Sequence, residues 1–416
     1  MGERDFSFIR EINSKMFYGY IIVGAAFLIQ LSTWGVHCTF GIFFVAVAKE
    51  FAWSRVVISS AFSLYLFLMG IMSIISGRIN DRFGPRLVMS LSCSIIGLGY
   101  FLMSMVNEIW HFYFFYGVIV AIGMGGVDIA TLSTIARWFV KKRGMMTGIV
   151  KAGAGAGMFI LPPVINWLIY TYGWRTTYII ISVMIFIGSV SASQFLKFAP
   201  REMGLNPYGE EVNEKSSNSE DDGFLFQKAI LTIQFWQLCV VFFLFLVCTQ
   251  IILVHLYAHI VDTGISGSVA ATILATVGGA SIAGRLIMGS AGDRIGNKPA
   301  MIIDLAIMSV ASFLLFFADA PWMFFIYACL HGFSHGGLFT LISPMVADLF
   351  GLVSHGIIFG VVSFSGNIGG TIGPIVAGRI FDLTGSYQTL FIIFSSAAIL
   401  GTFIMVLIKD TELSTA

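Results

Sequence analysis

Three charged side chains, Asp128, Lys151 and Arg285, lie inside long apolar stretches of this 416-residue chain. An ionisable group at the middle of a membrane helix costs at least about 2.5–3.5 kcal/mol, so such residues are candidates for function by default. The guanidinium of Arg285 is a planar fork that suits a carboxylate, and its charge persists under partial desolvation. We therefore predict that Arg285 binds a carboxylate substrate. The alternative is a structural arginine paired with a carbonyl or a hidden acid.

Asp128 and Lys151 bring an acid and a base to a similar depth. Asp128 lies nine residues before Arg137, and Lys151 lies eight residues after Arg143. At 1.5 Å per residue, eight residues correspond to about 12 Å, and Arg285 lies equally far from the end of its own helix. Two interpretations stay open. The residues form a buried salt bridge that only neutralises both, or they couple proton movement, because protonation of Asp128 frees Lys151 to bind an anion.

Other polar side chains in apolar stretches are weaker candidates. We predict that His255 lines the pore or a gate and that Asn367 faces the substrate cavity. His331 and His335 are four residues apart and share a helix face. Two histidines without a third ligand do not indicate a metal site, so we expect them to form interhelical hydrogen bonds. Asp304 is expected to snorkel to the nearby membrane surface.

Composition places the chain in a bilayer. With 57% hydrophobic residues, 11% charged residues and a mean hydropathy of +0.90, it differs from soluble globular proteins, in which about 25% of residues are charged. No basic patch indicates a nucleic-acid partner. The five cysteines lie in apolar stretches without CxxC spacing, so neither a metal site nor a disulfide framework is predicted.

The apolar runs predict an all-α polytopic membrane protein with twelve transmembrane helices. Runs of about 20 residues or more are long enough to cross the hydrocarbon as helices, whereas barrel strands would be roughly 10 residues long. The boundaries follow charges, glycine, proline and turn clusters. The predicted spans are 17–46, 54–76, 87–106, 110–136, 144–170, 174–197, 229–258, 267–291, 299–318, 321–347, 353–380 and 386–408.

The chain also contains an internal repeat. The stretch GRINDRFGPR, which begins at Gly77, returns 212 positions later as GSAGDRIGNK, which begins at Gly289. The same offset relates Gly144 to Gly356 and Pro162 to Pro374. Internal repeats are a common feature of transporter folds. The repeat therefore predicts two pseudo-symmetric six-helix halves.

The distribution of Lys and Arg predicts the orientation. Most of the 23 basic residues fall on one side if the N-terminus is inside, which is the distribution that the positive-inside rule expects. We expect a multi-pass protein of the cytoplasmic membrane with both termini in the cytoplasm and no cleavable signal peptide. The predicted parts are the cytoplasmic N-terminus 1–16, the N-terminal bundle 17–197, a flexible cytoplasmic linker 198–228, the C-terminal bundle 229–408 and the cytoplasmic C-terminus 409–416.

The two copies of the repeated decapeptide carry a charge cluster. Such clusters can latch neighbouring helices through charge-assisted hydrogen bonds that break when the halves move, and a plain positive-inside loop would not need an aspartate. We predict a conformational latch formed by Asp81, Arg82, Asp293 and Arg294. The first copy resembles the G-x-x-x-D-R-x-G-x-[KR] signature of the major facilitator superfamily, and the second is the weaker copy. That resemblance covers essentially the whole chain and implies transport by alternating access.

A narrower resemblance lies in RWFVKKRGMMTGIVKAGAGAGMFILPP, from Arg137 to Pro163. It is similar to the corresponding stretch of the monocarboxylate transporter family and of bacterial oxalate/formate antiporters. The resemblance implies that Arg285 binds the substrate carboxylate. The chain departs from the animal carriers in three places: MFYGYIIV lacks their acidic residue, TFGIFF lacks their helix 1 lysine, and Ser281 replaces an aspartate of proton coupling. We hypothesise that Lys151 and Asp128 substitute for these groups.

The function predicted from the sequence is secondary active transport of small carboxylates such as lactate or pyruvate, with protons as the coupling ion and no cofactor. One net positive charge at the site would favour a monocarboxylate, whereas two independent cations would favour a dicarboxylate such as oxalate. A membrane sensor or assembly partner of the same fold is the alternative from another class. We predict no enzyme, because no Ser/His/Asp, metal-ligand or nucleotide-loop pattern is present. The expected partners are the anion and the lipid bilayer, and the chain is expected to be a monomer.

Overall fold

The computed structural model describes residues 17–53, 55–209, 224–384 and 388–409. A few side chains within these ranges are not described, among them that of His255. In the described ranges the regular structure consists of helices, with one isolated β-bridge between Phe139 and Tyr208. The all-helical prediction is therefore confirmed.

Twelve long helical segments follow one another in the described part of the chain. In the N-terminal half, α1 comprises Gly19–His37 and Phe40–Phe51, α2 is Arg55–Phe83, α3 is Pro85–Met103, and α4 comprises Ile109–Phe112, Tyr113–Val120, Ala121–Met124 and Val127–Trp138. The segments α5 (143–172) and α6 (174–193) meet at Gly173, whose φ of 80° and ψ of 160° break the helix. In the C-terminal half, α7 is Ile233–Asp262, α8 is Gly267–Ile295, α9 is Asn297–Phe316, α10 is Pro321–Phe350, α11 is His355–Thr384 and α12 is Gln388–Leu407.

Length and hydropathy agree with this count. Ten helical stretches of the described chain are long and apolar enough to span a membrane, and one of them, Arg143–Ser193, contains both α5 and α6. A shorter apolar helix, Phe391–Leu407, lies within α12. Large apolar side chains face outward, as with Ile187 at 61% and Phe403 at 59% exposure. Soluble proteins bury most such residues, so we assign these faces to lipid.

The repeated decapeptides are helix ends rather than loops. We expected α2 to end near residue 76 and α8 near residue 291, but they continue to Phe83 and Ile295. Each then turns at a single glycine with positive φ, 82° at Gly84 and 91° at Gly296. Residues other than glycine rarely adopt this conformation, and Pro85 starts α3 at once. We call the end of the molecule that carries Gly84 and Gly296 the signature end.

The two halves approach each other closely near the signature end. A Cβ atom on Gly77 would collide with the carbonyl oxygen of Gly356, and one on Gly144 would collide with the carbonyl oxygen of Gly289. The 212-residue offset relates the two contacts, because Gly77 corresponds to Gly289 and Gly144 corresponds to Gly356. Small residues allow this backbone approach between membrane helices. The α2–α11 and α5–α8 interfaces are therefore pseudo-symmetric equivalents.

Both ends of the predicted linker are folded onto the bundles. The backbone N–H groups of Val140 and Lys141 donate to the Tyr208 carbonyl at 3.1 and 3.0 Å, and Tyr208 N–H donates to the Trp138 carbonyl at 2.9 Å. At the other end, Phe224 N–H donates to the Phe350 carbonyl at 2.8 Å. Of the flexible linker predicted for 198–228, both described ends are therefore folded, and its middle, 210–223, lies outside the described residues.

Candidate functional site

Asp128 and Lys151 form an ion pair within the N-terminal half. Lys151 Nζ on α5 donates to both carboxylate oxygens of Asp128 on α4, at 2.9 Å each. The lysine side chain is 4% exposed and the aspartate side chain is 22% exposed. Their depths, inferred from helical rise, are consistent with this contact. This ion pair is compatible with both interpretations given above, a salt bridge that only neutralises the two charges and a pair that couples proton movement.

Helix α1 and helix α10 complete the surroundings of this pair. Gln30 Nε2 and Trp34 Nε1 donate to Asp128 Oδ1, at 2.8 and 3.1 Å. Lys151 Nζ lies 5.2 Å from the ring of Trp34 and 5.4 Å from that of Phe339, distances at which an aromatic face stabilises a cation. Asp128 therefore accepts hydrogen bonds from two helices, and the ammonium group contacts both halves.

Arg285 is buried on α8 at the interface between the halves, with 3% exposure. Its Nη1 donates to the backbone carbonyl of Lys151 at 3.0 Å, whereas its Nε has no hydrogen-bond partner among the described residues. No described acidic side chain lies within ion-pair distance. Gly155 on α5 leaves room for the guanidinium, since a Cβ there would lie 2.6 Å from Nη1. Arg285 therefore carries a buried charge without an acid partner in the described part of the chain.

A small cavity of about 50 Å³ lies between the halves beside the ion pair. Trp34 and Asp128 line it from the N-terminal half, and Phe339, Ser363 and Asn367 line it from the C-terminal half. Because one water needs roughly 10–15 Å³ by this measure, the cavity holds only a few small groups. Asn367 lies in the wall of this interfacial cavity, whereas Arg285 is not among the residues that line it.

At the signature end, Asp81 of α2 joins the two halves. Its carboxylate accepts hydrogen bonds from the backbone N–H groups of Gly356 and Ile357 at the start of α11, at 3.1 and 3.0 Å. Arg137 Nη2 contacts the same carboxylate at 3.0 Å and donates to the Leu352 carbonyl at 3.1 Å. Helix N-termini favour anions, so Asp81 stabilises the closed arrangement of this end.

Asp293 makes the equivalent contact on the other side of the pseudo-symmetry axis. It accepts from the backbone N–H groups of Gly144 and Met145 at 2.7 Å each. Arg82 and Arg294, the other predicted latch residues, are exposed, and no contact of either across the halves is described. Each of the two aspartates therefore contacts the start of a helix in the opposite half, whereas no such contact is described for the two arginines.

His355 is a further connection between the halves at this end. It is fully buried, and its Nδ1 lies 2.9 Å from Ser133 Oγ on α4. Its Nε2 lies 3.1 Å from the backbone carbonyl of Ser343 on α10. The imidazole thus joins α4, α10 and α11.

Sequence reasoning missed several of these residues. Gln30 and Trp34 are polar, four residues apart and therefore on one face of an apolar helix, which was a usable signal. Arg137 and His355 stand near predicted helix ends, where charged and polar residues are ordinary, so no signal separated them from loop residues.

The remaining histidines and Asp304 differ in their surroundings. The side chain of His255 lies outside the described residues. His331 and His335 have ring centroids 6.5 Å apart, with both Nδ1 atoms unpaired among the described atoms. No cluster of three metal-ligating residues occurs in the described chain.

Asp304 does not snorkel: it is fully buried against α10, where a Cβ on Gly337 would lie 2.6 Å from its carboxylate. The rotation of α9 turns this side chain inward.

Comparison with known proteins supports a transporter family. A family model described as Major Facilitator Superfamily matches residues 22–285 and 257–415. Monocarboxylate transporter 13 of Bos taurus is 24% identical over 394 residues, which cover 94% of this chain and 89% of that protein. The uncharacterized MFS-type transporter YhjX of Escherichia coli K12 is 26% identical over 319 residues, covering 74% of this chain and 76% of that protein.

Solved structures agree at the level of the fold. The proton:xylose symporter XylE superposes with a TM-score of 0.78 at 14% identity, covering 96% of this chain and 97% of that chain. The Escherichia coli fucose:proton symporter FucP gives a TM-score of 0.72 at 16% identity, covering 94% and 100%. The predicted arrangement of two six-helix halves is thereby confirmed.

Proposed function

Since the chain belongs to the major facilitator superfamily, a family of transporters rather than enzymes, we propose that it carries small monocarboxylates such as lactate or pyruvate across the membrane by alternating access, coupled to protons. The observation that carries the proposal is Arg285, a buried guanidinium at the interface of the halves. The names of the relatives add support, because several are monocarboxylate transporters.

The surroundings of Arg285 favour an anionic ligand. Leaving a buried charge without a partner is strongly destabilising, and Nε of this residue has no partner among the described atoms. A carboxylate would pair with the fork in a bidentate manner. Arg285 belongs to one half and contacts the backbone of the other. The affinity for an anion bound there would therefore depend on the relative position of the halves.

The net charge of the cluster favours one carboxylate over two. Lys151 and Asp128 neutralise each other, and Arg285 contributes the remaining positive charge. Protonation of Asp128 would release Lys151 as a second cation, because the neutral acid loses most of its attraction for the ammonium group. Anion binding and protonation therefore favour one another, and this mutual preference links the movements of anion and proton.

Movement between access states requires the signature end to open. In the arrangement described here, Asp81 and Asp293 each accept two backbone hydrogen bonds from the opposite half. We predict that this end faces the cytoplasm, as the distribution of Lys and Arg indicates. Breaking both sets of contacts would open the cluster to that side.

The test is uptake of labelled lactate, pyruvate, formate and oxalate into proteoliposomes, with and without a pH gradient. We expect gradient-driven uptake of a monocarboxylate, its loss in Arg285→Ala, and poor recovery in Arg285→Lys because lysine lacks the planar fork. The matched control is Arg78→Ala, which removes an exposed arginine.

Three outcomes would overturn parts of the proposal. Uptake of every acid by Arg285→Ala would refute the site. Uptake of oxalate alone would indicate a dicarboxylate exchanger. Binding of an acid to the wild type without uptake of any of the four would indicate a sensor of the same fold.

A further inference from the structure

We propose that Gln30 on α1 is a positioning residue that donates a hydrogen bond to charged Asp128 and supplies the acceptor for its protonated form, an inference that rests on the proposed proton-coupled function. Gln30 is fully buried. Its Nε2 donates to Asp128 Oδ1 at 2.8 Å and to Thr131 Oγ1 at 3.0 Å. The residue therefore contacts the acid directly but does not contact Arg285 in the described structure.

The orientation of the Gln30 amide follows from the hydrogen-bond network. Thr131 donates its hydroxyl hydrogen to the Val127 carbonyl at 2.7 Å, so its oxygen is left to accept. A carboxylate also accepts only. Both neighbours of the Gln30 head group therefore require a donor, which assigns Nε2 to this side. In this orientation Gln30 stabilises the deprotonated form of Asp128.

The oxygen of the same amide, Gln30 Oε1, is buried without a hydrogen-bond partner among the described residues. A protonated Asp128 needs an acceptor for its new O–H group. Of the three side chains that contact its carboxylate, Lys151 and Trp34 can only donate. Gln30 is the one that can also accept, by turning its amide so that Oε1 faces the acid.

The charged and titratable groups around Asp128 are retained in this test. Lys151 faces it from α5, and Arg285 on α8 and Tyr65 on α2 lie within electrostatic range. On α10, His335 lies within electrostatic range of Lys151. From α11 the cavity wall contributes only neutral groups, Ser363 and Asn367. A shift in the pH profile of uptake that is caused by changing Gln30 alone therefore reports the hydrogen bonds of Gln30.

Two substitutions separate the donor role from the acceptor role. Gln30→Met removes both, whereas Trp34→Phe removes only the 3.1 Å donor to the same oxygen and keeps an aromatic face near Lys151. A hydrogen bond to a charged group corresponds to about one to two pH units. We expect each variant to raise the midpoint of the pH profile of uptake by about one to two units. Only Gln30→Met should also slow maximal proton-driven uptake, since the protonated acid then lacks its acceptor.

The experiment measures the pH profile of uptake in proteoliposomes and, independently, the rate at which a hydrophobic carbodiimide modifies Asp128 as a function of pH, followed by mass spectrometry. Carbodiimides react with protonated carboxyl groups, so this second readout does not require transport. The matched control is Thr33→Val on the same helix, because the Thr33 hydroxyl is buried and bonds only the carbonyl of Ile29 in the described structure. Its profile should match the wild type.

The outcomes distinguish this inference from the proposed function. If Asp128→Asn keeps the pH dependence of uptake, the coupling role of Asp128 fails and the inference fails with it. If Asp128→Asn loses the pH dependence while Gln30→Met and Trp34→Phe keep the wild-type midpoint in both measurements, only the inference is overturned. If Gln30→Met does not fold, Trp34→Phe still tests the donor argument. An unchanged pH midpoint for the carbodiimide modification of Asp128 in that variant overturns it.

Discussion

Arg285 Nη1 donates to the backbone carbonyl of Lys151 at 3.0 Å, across the boundary between the two halves. The contact places the fixed cation of one half directly beside the titratable ion pair of the other. Any displacement of α8 against α5 therefore changes the distance between Arg285 and the pair. Under the proposed function, in which Arg285 binds the substrate carboxylate, the α5–α8 interface links the charge of the substrate to the relative position of the halves.

The first prediction concerns the room left for the guanidinium. A Cβ on Gly155 would lie 2.6 Å from Arg285 Nη1 and 2.8 Å from Ile282 Cγ1. Gly155→Ala should displace the guanidinium and weaken substrate binding by about 1.4 kcal/mol, so that KM rises roughly tenfold. Uptake kinetics in proteoliposomes measure this. Gly24→Ala is the control, since a Cβ there meets nothing within 4 Å. An unchanged KM for Gly155→Ala would contradict the placement of Arg285.

A second prediction concerns the close approach of α5 and α8 at the signature end. A side chain on Gly289 would collide with the carbonyl of Gly144, so Gly289→Val should favour the open state of this end. Spin labels at Phe83 and Ile295, which are both exposed and related by the repeat, would report a longer distance between the halves in a background without native cysteines. Gly278→Val on the same helix should leave the distance unchanged, because a Cβ there meets nothing within 4 Å.

The latch aspartate gives a third prediction. Asp81→Asn removes the negative charge that accepts hydrogen bonds from Arg137, Gly356 and Ile357. Charge-assisted bonds of this kind contribute about 1.5–3 kcal/mol, so the population of the closed state should fall about tenfold or more relative to the open state. The same label pair measures the shift. Arg82→Ala should have little effect, because no contact of this exposed side chain with the other half is described. An equal effect of both variants would contradict the geometry of the latch.

A fourth prediction concerns an ion pair between Glu50, which lies beyond the apolar span Gly19–Phe43, and Arg175 at the start of α6. The hydrogen bond from Arg175, together with that from Trp174, holds the pKa of the Glu50 carboxyl below its ordinary value. A carboxyl with a lowered pKa in the folded state stabilises the protein above its unfolded pKa of about 4.3, and this contribution disappears as pH falls through the lower folded value. Because the Glu50 side chain is 41% exposed, we expect no more than about 1 kcal/mol.

Thermal unfolding in detergent would measure that contribution. Glu50→Gln should unfold at a slightly lower temperature than the wild type at pH 7, and the difference should shrink as the pH is lowered below about 4. A difference that stays constant or grows as the pH falls would show that Glu50 acts through packing rather than charge.

The sequence by itself determined the architecture of this protein. Apolar runs, the 212-residue repeat and the glycine signature were enough to predict twelve helices in two halves, because a bilayer admits few ways to satisfy the backbone. The similar depth of Asp128 and Lys151 also followed from the sequence, since the rise per residue of a helix is constant.

Only the tertiary structure decided which side chains face each other. Asp81 contacts Arg137 rather than remaining among the arginines of its own decapeptide, Asp304 turns inward, and Gln30 reaches Asp128 from another helix. These outcomes depend on the rotation and tilt of each helix, which packing against neighbours sets and hydropathy does not encode. For the same reason, the one buried cation without an acid partner among the described residues, Arg285, could be distinguished from the neutralised pair beside it only in three dimensions.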